Sequence, residues 1–276
     1  MMESFDVLIS VIVTTYNRPK ALDLVLMGLS KQTDHNYEVV VADDGSGFET
    51  RKIIEKWKSR SPLRLIHAWQ NDDGFRLNQS RNNGIKKSSG EYIVVLDGDC
   101  IPRRNFVAQH RKLMERGWAV AGNRCLLSPD LTNKVEEGEE DLLGWHMIDY
   151  LKARLTGEIN RLSTLFVFPP DWSFRYKNPY NWKIFRGCNM AFFREDAYRV
   201  NGFDESFHGW GLDDSDFAVR MINSGVRIKS GRFSTGVFHL YHREGSLVKD
   251  SFNSSRFSKV IKDRLVNPLK GLAGKD

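Results

Sequence analysis

Short apolar runs alternate with longer amphipathic stretches along the first 120 residues. Residues 7–13, VLISVIV, are dense in Val and Ile and predict a strand. Asn17-Arg18-Pro19 follows, a cap-like polar residue with proline in the first turn. Leu22, Val25, Leu26 and Leu29 then recur at helical spacing. Residues 37–42 predict a second strand, which runs into Asp43-Asp44-Gly45-Ser46. The same reading places a helix near 49–57, a short strand at 63–67 and a helix at 78–87, weakened by Gly84. A strand at 91–96 and a helix at 106–114 complete the series. This rhythm predicts an α/β fold of βαβ units, with a mostly parallel central sheet flanked by helices.

In such sheets the carboxyl ends of the strands face the ligand crevice. Three polar clusters fall at those ends: Thr14-Thr15-Tyr16-Asn17, Asp43-Asp44 and Asp97-Gly98-Asp99. Strand residues two apart point the same way, so Asp97 and Asp99 repel unless a cation lies between them. A hard divalent ion, Mg²⁺ or Mn²⁺, relieves that repulsion, and its usual bound partner is a diphosphate. The plain alternative is a solvated turn, since Asp-Gly is a common turn dipeptide.

The rhythm fades between 123 and 182, where an acidic patch (136–141) and many aromatics predict helices, loops and a mobile flap. A compact pattern returns at RGCNMAFFRED and NGFDESFHGWGLDDSDFAVRM, and a hairpin or strand pair is expected to end in VFHLYHRE. Asp213, Asp214 and Asp216 suit the positive end of a helix dipole. That does not explain Gly209-Trp210-Gly211, a large flat apolar surface beside acids, which suits a sugar ring and a general base for its hydroxyl. His239 and His242, three apart, are weak evidence of metal binding.

Composition narrows the class. The chain has 276 residues, 41% hydrophobic and 28% charged, as in an ordinary globular protein. Its three cysteines are scattered, which argues against a disulfide framework or a structural zinc site. No run is long enough to span a bilayer, and the first residues lack signal-peptide features. The reading is a cytoplasmic protein, with possible contact at the inner face of the membrane. The net charge is +6, and residues 249–276 hold seven Lys/Arg against three Asp. The main domain therefore carries no basic stripe, and no nucleic-acid partner is expected. Within that tail Phe257, Ile261 and Leu265 recur every four residues among Lys259, Lys262 and Arg264. This basic amphipathic helix either lies on an anionic membrane or packs on the domain.

Six stretches in order carry a resemblance: ISVIVTTYNRPKAL, YEVVVADDGSG, NDDGFRLNQSRNNGI, GEYIVVLDGDCIP, FRGCNMAFFRED and GWGLDDSDF. Over about residues 7 to 245 the chain resembles family-2 glycosyltransferases of the GT-A fold, with a galactosyltransferase-type, chondroitin-polymerase-like second half. The resemblance implies a nucleotide-sugar-binding half (1–122), an acceptor-binding and catalytic half of the same domain (123–248) and a basic tail (249–276). It implies that Thr14, Thr15 and Tyr16 line the nucleoside pocket. Asp44 contacts uracil with Asp43 beside it, Arg81 lies near the base or diphosphate, and Asp97 faces the ribose. Asp99 and His242, or alternatively His239, hold the divalent metal. Asp214 is the catalytic base, and Trp210, Gly211 and Asp213 meet the acceptor. The first acid of the Asp213-Asp214 pair is Glu in the family pattern. The implied reaction is inverting transfer of a hexose or N-acetylhexosamine from a UDP-sugar to a glycan or lipid-linked glycan in surface polysaccharide or lipopolysaccharide biosynthesis. The competing reading is a nucleotide-sugar- or glycan-binding module without catalysis.

Overall fold

The computed structural model describes residues 7–207, 209, 211–243 and 251–273. Its first half is a βα series: β1 (Ile9–Thr15), α1 (Pro19–Ser30), β2 (Tyr37–Asp43), α2 (Phe48–Arg60), β3 (Leu65–Trp69), α3 (Leu77–Lys87), β4 (Tyr92–Asp97), β5 (Cys100–Pro102), α4 (Phe106–Leu113) and β6 (Trp118–Ala121). After it come β7 (Asn123–Leu126), α5 (Pro129–Glu136), α6 (Met147–Leu155), β8 (Asn189–Phe193), α7 (Arg194–Arg199), α8 (Asp213–Asn223), β9 (Arg227–Ser230), β10 (Gly236–His239) and α9 (Ser251–Lys262).

Every strand expected in the first half is present, shifted by a residue or two toward its carboxyl end. The seven-stranded sheet has the order β3-β2-β1-β4-β8-β6-β9. Only β8 runs against the others, pairing antiparallel with both β4 and β6. β1, β2 and β4 are buried along their whole lengths apart from the two end residues Tyr37 and Asp97, as expected of strands covered on both faces. On one face α1 buries Leu22, Val25, Leu26 and Leu29, each contributing about 1.5–3 kcal/mol by leaving water. α3 is helical straight through Gly84, where a side chain would collide with Ile12.

Two expectations need correction. Asn17 does not cap α1. Its Oδ1 accepts from the Gly47 amide at 2.9 Å, tying the β1–α1 turn to the loop before α2. The strands ending in VFHLYHRE are not paired with each other. β9 lies at the edge of the large sheet, and β10 is the middle strand of a small sheet, β5-β10-β7. The acidic patch is absorbed as counter-charge to α1: Glu136 pairs with Arg18 at 3.2 Å and Glu137 with Lys20 at 2.7 Å.

The tail helix α9 packs on the domain. Phe257 and Val260 are buried with Phe207 and Val219, Leu265 packs against them, and Ile261 alone of the stripe is exposed. Arg256 adds a buried ion pair to Asp204 at 3.2 Å. No helix among the described residues is long and apolar enough to cross a membrane.

Candidate active site

Register places the expected polar clusters in one row. Thr14 is level with Asp97 on β4, and Thr15 is level with Asp43 on β2. Thr14, Thr15, Tyr16, Asp44 and Asp97 line a cavity of about 330 Å³ at this edge. Asp99 and His242 line it too, and Phe75 and Leu77 supply apolar wall that the sequence reading had missed. Asp44 is nearly buried and tightly held: Gln70 Nε2 donates to it at 2.5 Å and the Arg76 amide at 2.8 Å. Burial nevertheless leaves its carboxyl above the usual range.

Asp43 does not line the cavity. It accepts from the Ser46 amide at 2.8 Å and meets His67 Nε2 at 2.9 Å, so it ties the β2 end to β3. Burial pushes its carboxyl up, but the bonds from His67 and Ser46 outweigh this and hold it below the usual range. Gly98 is required by close approach rather than by a left-handed backbone. Its amide donates to Thr14 O at 2.7 Å, and a Cβ there would collide with that oxygen.

Asp99 is the centre of a second cluster. His242 Nε2 lies 3.4 Å from its Oδ2 and His239 Nε2 lies 3.7 Å from its Oδ1, so both candidate histidines face the same carboxylate. Cys100 Sγ also approaches Oδ1 at 3.7 Å. Arg18, another residue missed from sequence, donates to Oδ2 at 2.9 Å and supplies positive charge beside Asp99. Burial lowers the His239 pKa and favours the neutral imidazole that can ligate a metal. Asp99, Cys100 and His239 bring a carboxylate oxygen, a thiol and an imidazole nitrogen within 4.8 Å of one another, a group that could hold a metal ion, while His242 faces the other carboxylate oxygen. The hydroxyl of Thr14 donates to Asp97 at 3.0 Å. Burial raises the Asp97 pKa, with Arg81 opposing and Asp99 adding to the rise.

Asp213 and Asp214 open α8 and face the same edge. Between them and Asp97 lies Arg81 of α3, which is nearly buried. It donates to Asp213 Oδ2 at 2.6 Å and lies 3.9 Å from Asp97. Asp213 is thus committed to Arg81. Asp214 accepts from the Gly187 amide at 3.1 Å and from Ser215 Oγ at 3.3 Å, and it keeps room for a further donor. Burial first, and Asp213 second, raise the Asp214 pKa. Gly187 is needed for close approach, because a Cβ there would enter the Arg81 guanidinium. Asp216 serves α8 itself in a buried 2.7 Å pair with Arg220. Gly211 lies at φ +116° just before α8. Trp210 falls outside the described residues.

The arrangement holds a cavity rich in carboxylates and hydroxyls, a cation position at Asp99, and a buried carboxylate across Arg81 able to take a proton. Known proteins resemble the chain in sequence and in fold. The family model described as glycosyl transferase family 2 covers residues 10–200, and one described as the N-terminal domain of galactosyltransferase covers 172–243. A chondroitin synthase of Escherichia coli is 28% identical over 240 residues, 80% of this chain and 33% of that protein. A validoxylamine A glucosyltransferase of Streptomyces hygroscopicus subsp. jinggangensis is 28% identical over 270 residues, 91% of this chain and 60% of that protein. The chain thus spans a third to three fifths of the length of these relatives. Among solved structures, S. aureus TarS 1–349 in complex with UDP superposes with a TM-score of 0.61 at 17% identity, covering 96% of this chain and 67% of that one. The mannosyltransferase PcManGT from Pyrobaculum calidifontis, in complex with GDP-Man and Mn²⁺, gives 0.55 at 22% identity, covering 86% and 58%. These likenesses show the GT-A fold. The chain belongs to glycosyl transferase family 2.

Proposed function

We propose that this chain catalyses inverting, metal-dependent transfer of a hexose or N-acetylhexosamine from a UDP-sugar to a hydroxyl of a glycan acceptor. The observation that carries this is a chain of charged groups along one sheet edge: Asp99 lines the cavity and faces two histidines, and Arg81 links its neighbour Asp97 to Asp213, beside Asp214. The nucleoside would enter the cavity lined by Thr14, Thr15, Tyr16 and Asp44, with Asp97 toward the ribose. UDP is the nucleotide that the family resemblance assigns to Asp44, which Gln70 and the Arg76 amide hold at the cavity wall. The UDP and UDP-GlcNAc complexes of TarS are consistent with that choice.

Asp214 takes the proton from the acceptor hydroxyl as its oxygen attacks the donor's anomeric carbon. The bond from that carbon to the diphosphate breaks on the opposite face, and its electron pair leaves with UDP, so one displacement inverts the centre. Arg81 holds Asp213 and Asp97 in place and keeps three buried carboxylates compatible. Asp99, with His242 or His239, would hold a Mn²⁺ or Mg²⁺ ion, which when bound offsets the negative charge growing on the diphosphate. Gly211, at the turn into α8, and Trp210 belong to the acceptor side in this reading. Asp213 acts there through Arg81.

Relatives that synthesise chondroitin and hyaluronan support a polysaccharide acceptor. The test is a screen of UDP-sugars for Mn²⁺-dependent hydrolysis, with Asp99→Ala and Asp214→Asn as controls. Full turnover by both variants would remove the reading.

A further inference from the structure

Residues 165–185 and the loop after β9 form an aromatic surface that the donor cleft does not use. Phe168 stacks on Phe233 at 4.5 Å between centroids and meets Trp172 at 4.8 Å, while Phe174 packs edge-on to both Trp172 and Phe233 at 6.1 Å. The outer members are not covered: Trp172 is 46% exposed, and Phe166 and Val167 are each 43% exposed. Such patches mark binding surfaces more often than accidents of composition.

A buried cation holds this surface rigid. Arg175 is 1% exposed and has no carboxylate partner in the described contacts. It donates instead to the carbonyls of Phe168, Pro169, Ser230, Arg232 and Phe233, at 2.8 to 3.2 Å. Burying a guanidinium to brace backbone alone is costly. The result is that two surface loops are locked to each other. Phe233 is held at φ +56°, a strained value for an aromatic residue.

Topology then locates the surface. β9 runs the same way as β4, and register puts Ser230 level with Ala121, Met190 and Val95. The loop leaving β9 therefore emerges on the same edge of the sheet as Asp97, three strand spacings away, roughly 14 Å. β10 starts just beyond Phe233 and ends at His239 beside Asp99. The aromatic surface and the cleft thus share one edge, at a separation that an oligosaccharide spans and one sugar does not.

We propose that the exposed Phe166–Trp172 surface, backed by the Phe168–Phe233 stack, is a distal subsite for the pyranose rings of a polysaccharide acceptor, several sugars from the reacting end. Aromatic faces match the C–H faces of pyranoses. Exposed Asp171 and Arg232 at its rim offer an acceptor and donors for hydroxyls. A bilayer would be met by aliphatic side chains, and these are on α6, where Met147, Ile148, Leu151 and Leu155 are exposed. The proposal rests on the glycan-acceptor reading above, so its test is separable from donor chemistry.

The test uses the full chain, Trp172→Ala and Phe166→Ala. Calorimetry measures binding of di- and hexasaccharides of unsulfated chondroitin, hyaluronan and β-glucan, and UDP-sugar hydrolysis is assayed on the same samples. The expectation is at least one hexasaccharide bound ten-fold or more tighter than its disaccharide, with that advantage lost in both variants. UDP-sugar hydrolysis stays within two-fold of wild type. The proposal is overturned if no hexasaccharide outbinds its disaccharide, or if both variants keep the advantage. It is overturned equally if the variants change only self-association in sedimentation, which would make the surface a contact between copies. Loss of hydrolysis in the wild type would instead count against the donor reading.

Discussion

In the proposed mechanism Asp214 owes its part as base to its surroundings more than to its own chemistry. Burial and the neighbouring Asp213 both raise its pKa, so it becomes a competent base only above the usual carboxylate range. Turnover is therefore expected to fall on the acid side, as pH drops through the raised pKa and the carboxylate takes up its proton. In Asp213→Asn the like charge disappears and Arg81 is released toward Asp214, and both changes favour the carboxylate. The acid limb of the pH–rate profile should move to lower pH in that variant, while donor KM changes little. An unmoved limb would mean that Asp213 meets the acceptor directly. Arg81→Met should be more damaging, since it leaves Asp97 and Asp213 as uncompensated buried charges. UDP affinity and folded stability are expected to drop together.

Among the elements, α8 and α4 carry the clearest tests. Asp216→Ala leaves Arg220 buried with no carboxylate and should cost about 3–5 kcal/mol in urea unfolding. His110 on α4 is buried against Asn189, and burial lowers its pKa to about 3. The unfolded chain binds that proton first, near pH 6.5, so stability should fall as pH drops from about 6.5 toward 3, by up to about 1.4 kcal/mol per pH unit. His110→Gln should flatten this slope, and an unchanged slope would assign the acid sensitivity to other groups. The same scale shows what the chain discloses about itself. β1, β2 and β4 are legible because apolar runs ending in Thr14-Thr15, Asp43-Asp44 and Asp97-Gly98-Asp99 state both the strand and its crevice end. β10 is legible as a strand but not by partner, because β5 and β7 are three and four residues long and lie more than 100 positions away. Arg81 with Asp213 was beyond reach for the same reason, as no local pattern joins residues 132 positions apart. Arg18 was closer to hand, a cation directly after the Thr14–Asn17 cluster.

For the whole molecule, the main sheet is continuous across both halves of the chain, because β8 joins β4 to β6. The proposed donor edge and the proposed base are thereby held on one frame. The tail helix completes that frame, since α9 covers Phe207 and Val219 and supplies Arg256 to Asp204. Deleting residues 249–276 should lower the melting temperature markedly, and liposome sedimentation of the full chain should match that of the truncated one. A stable truncated form with lost liposome binding would instead restore the membrane role to this helix. The central claim concerns chemistry on that frame, and one comparison tests it most directly. UDP-sugar turnover at saturating donor and Mn²⁺ is measured for wild type and Asp214→Asn, with UDP affinity determined on the same samples. The account predicts a loss of at least about 100-fold in turnover, the usual scale for a general base, with UDP affinity essentially unchanged. Turnover within a few-fold of wild type would contradict it.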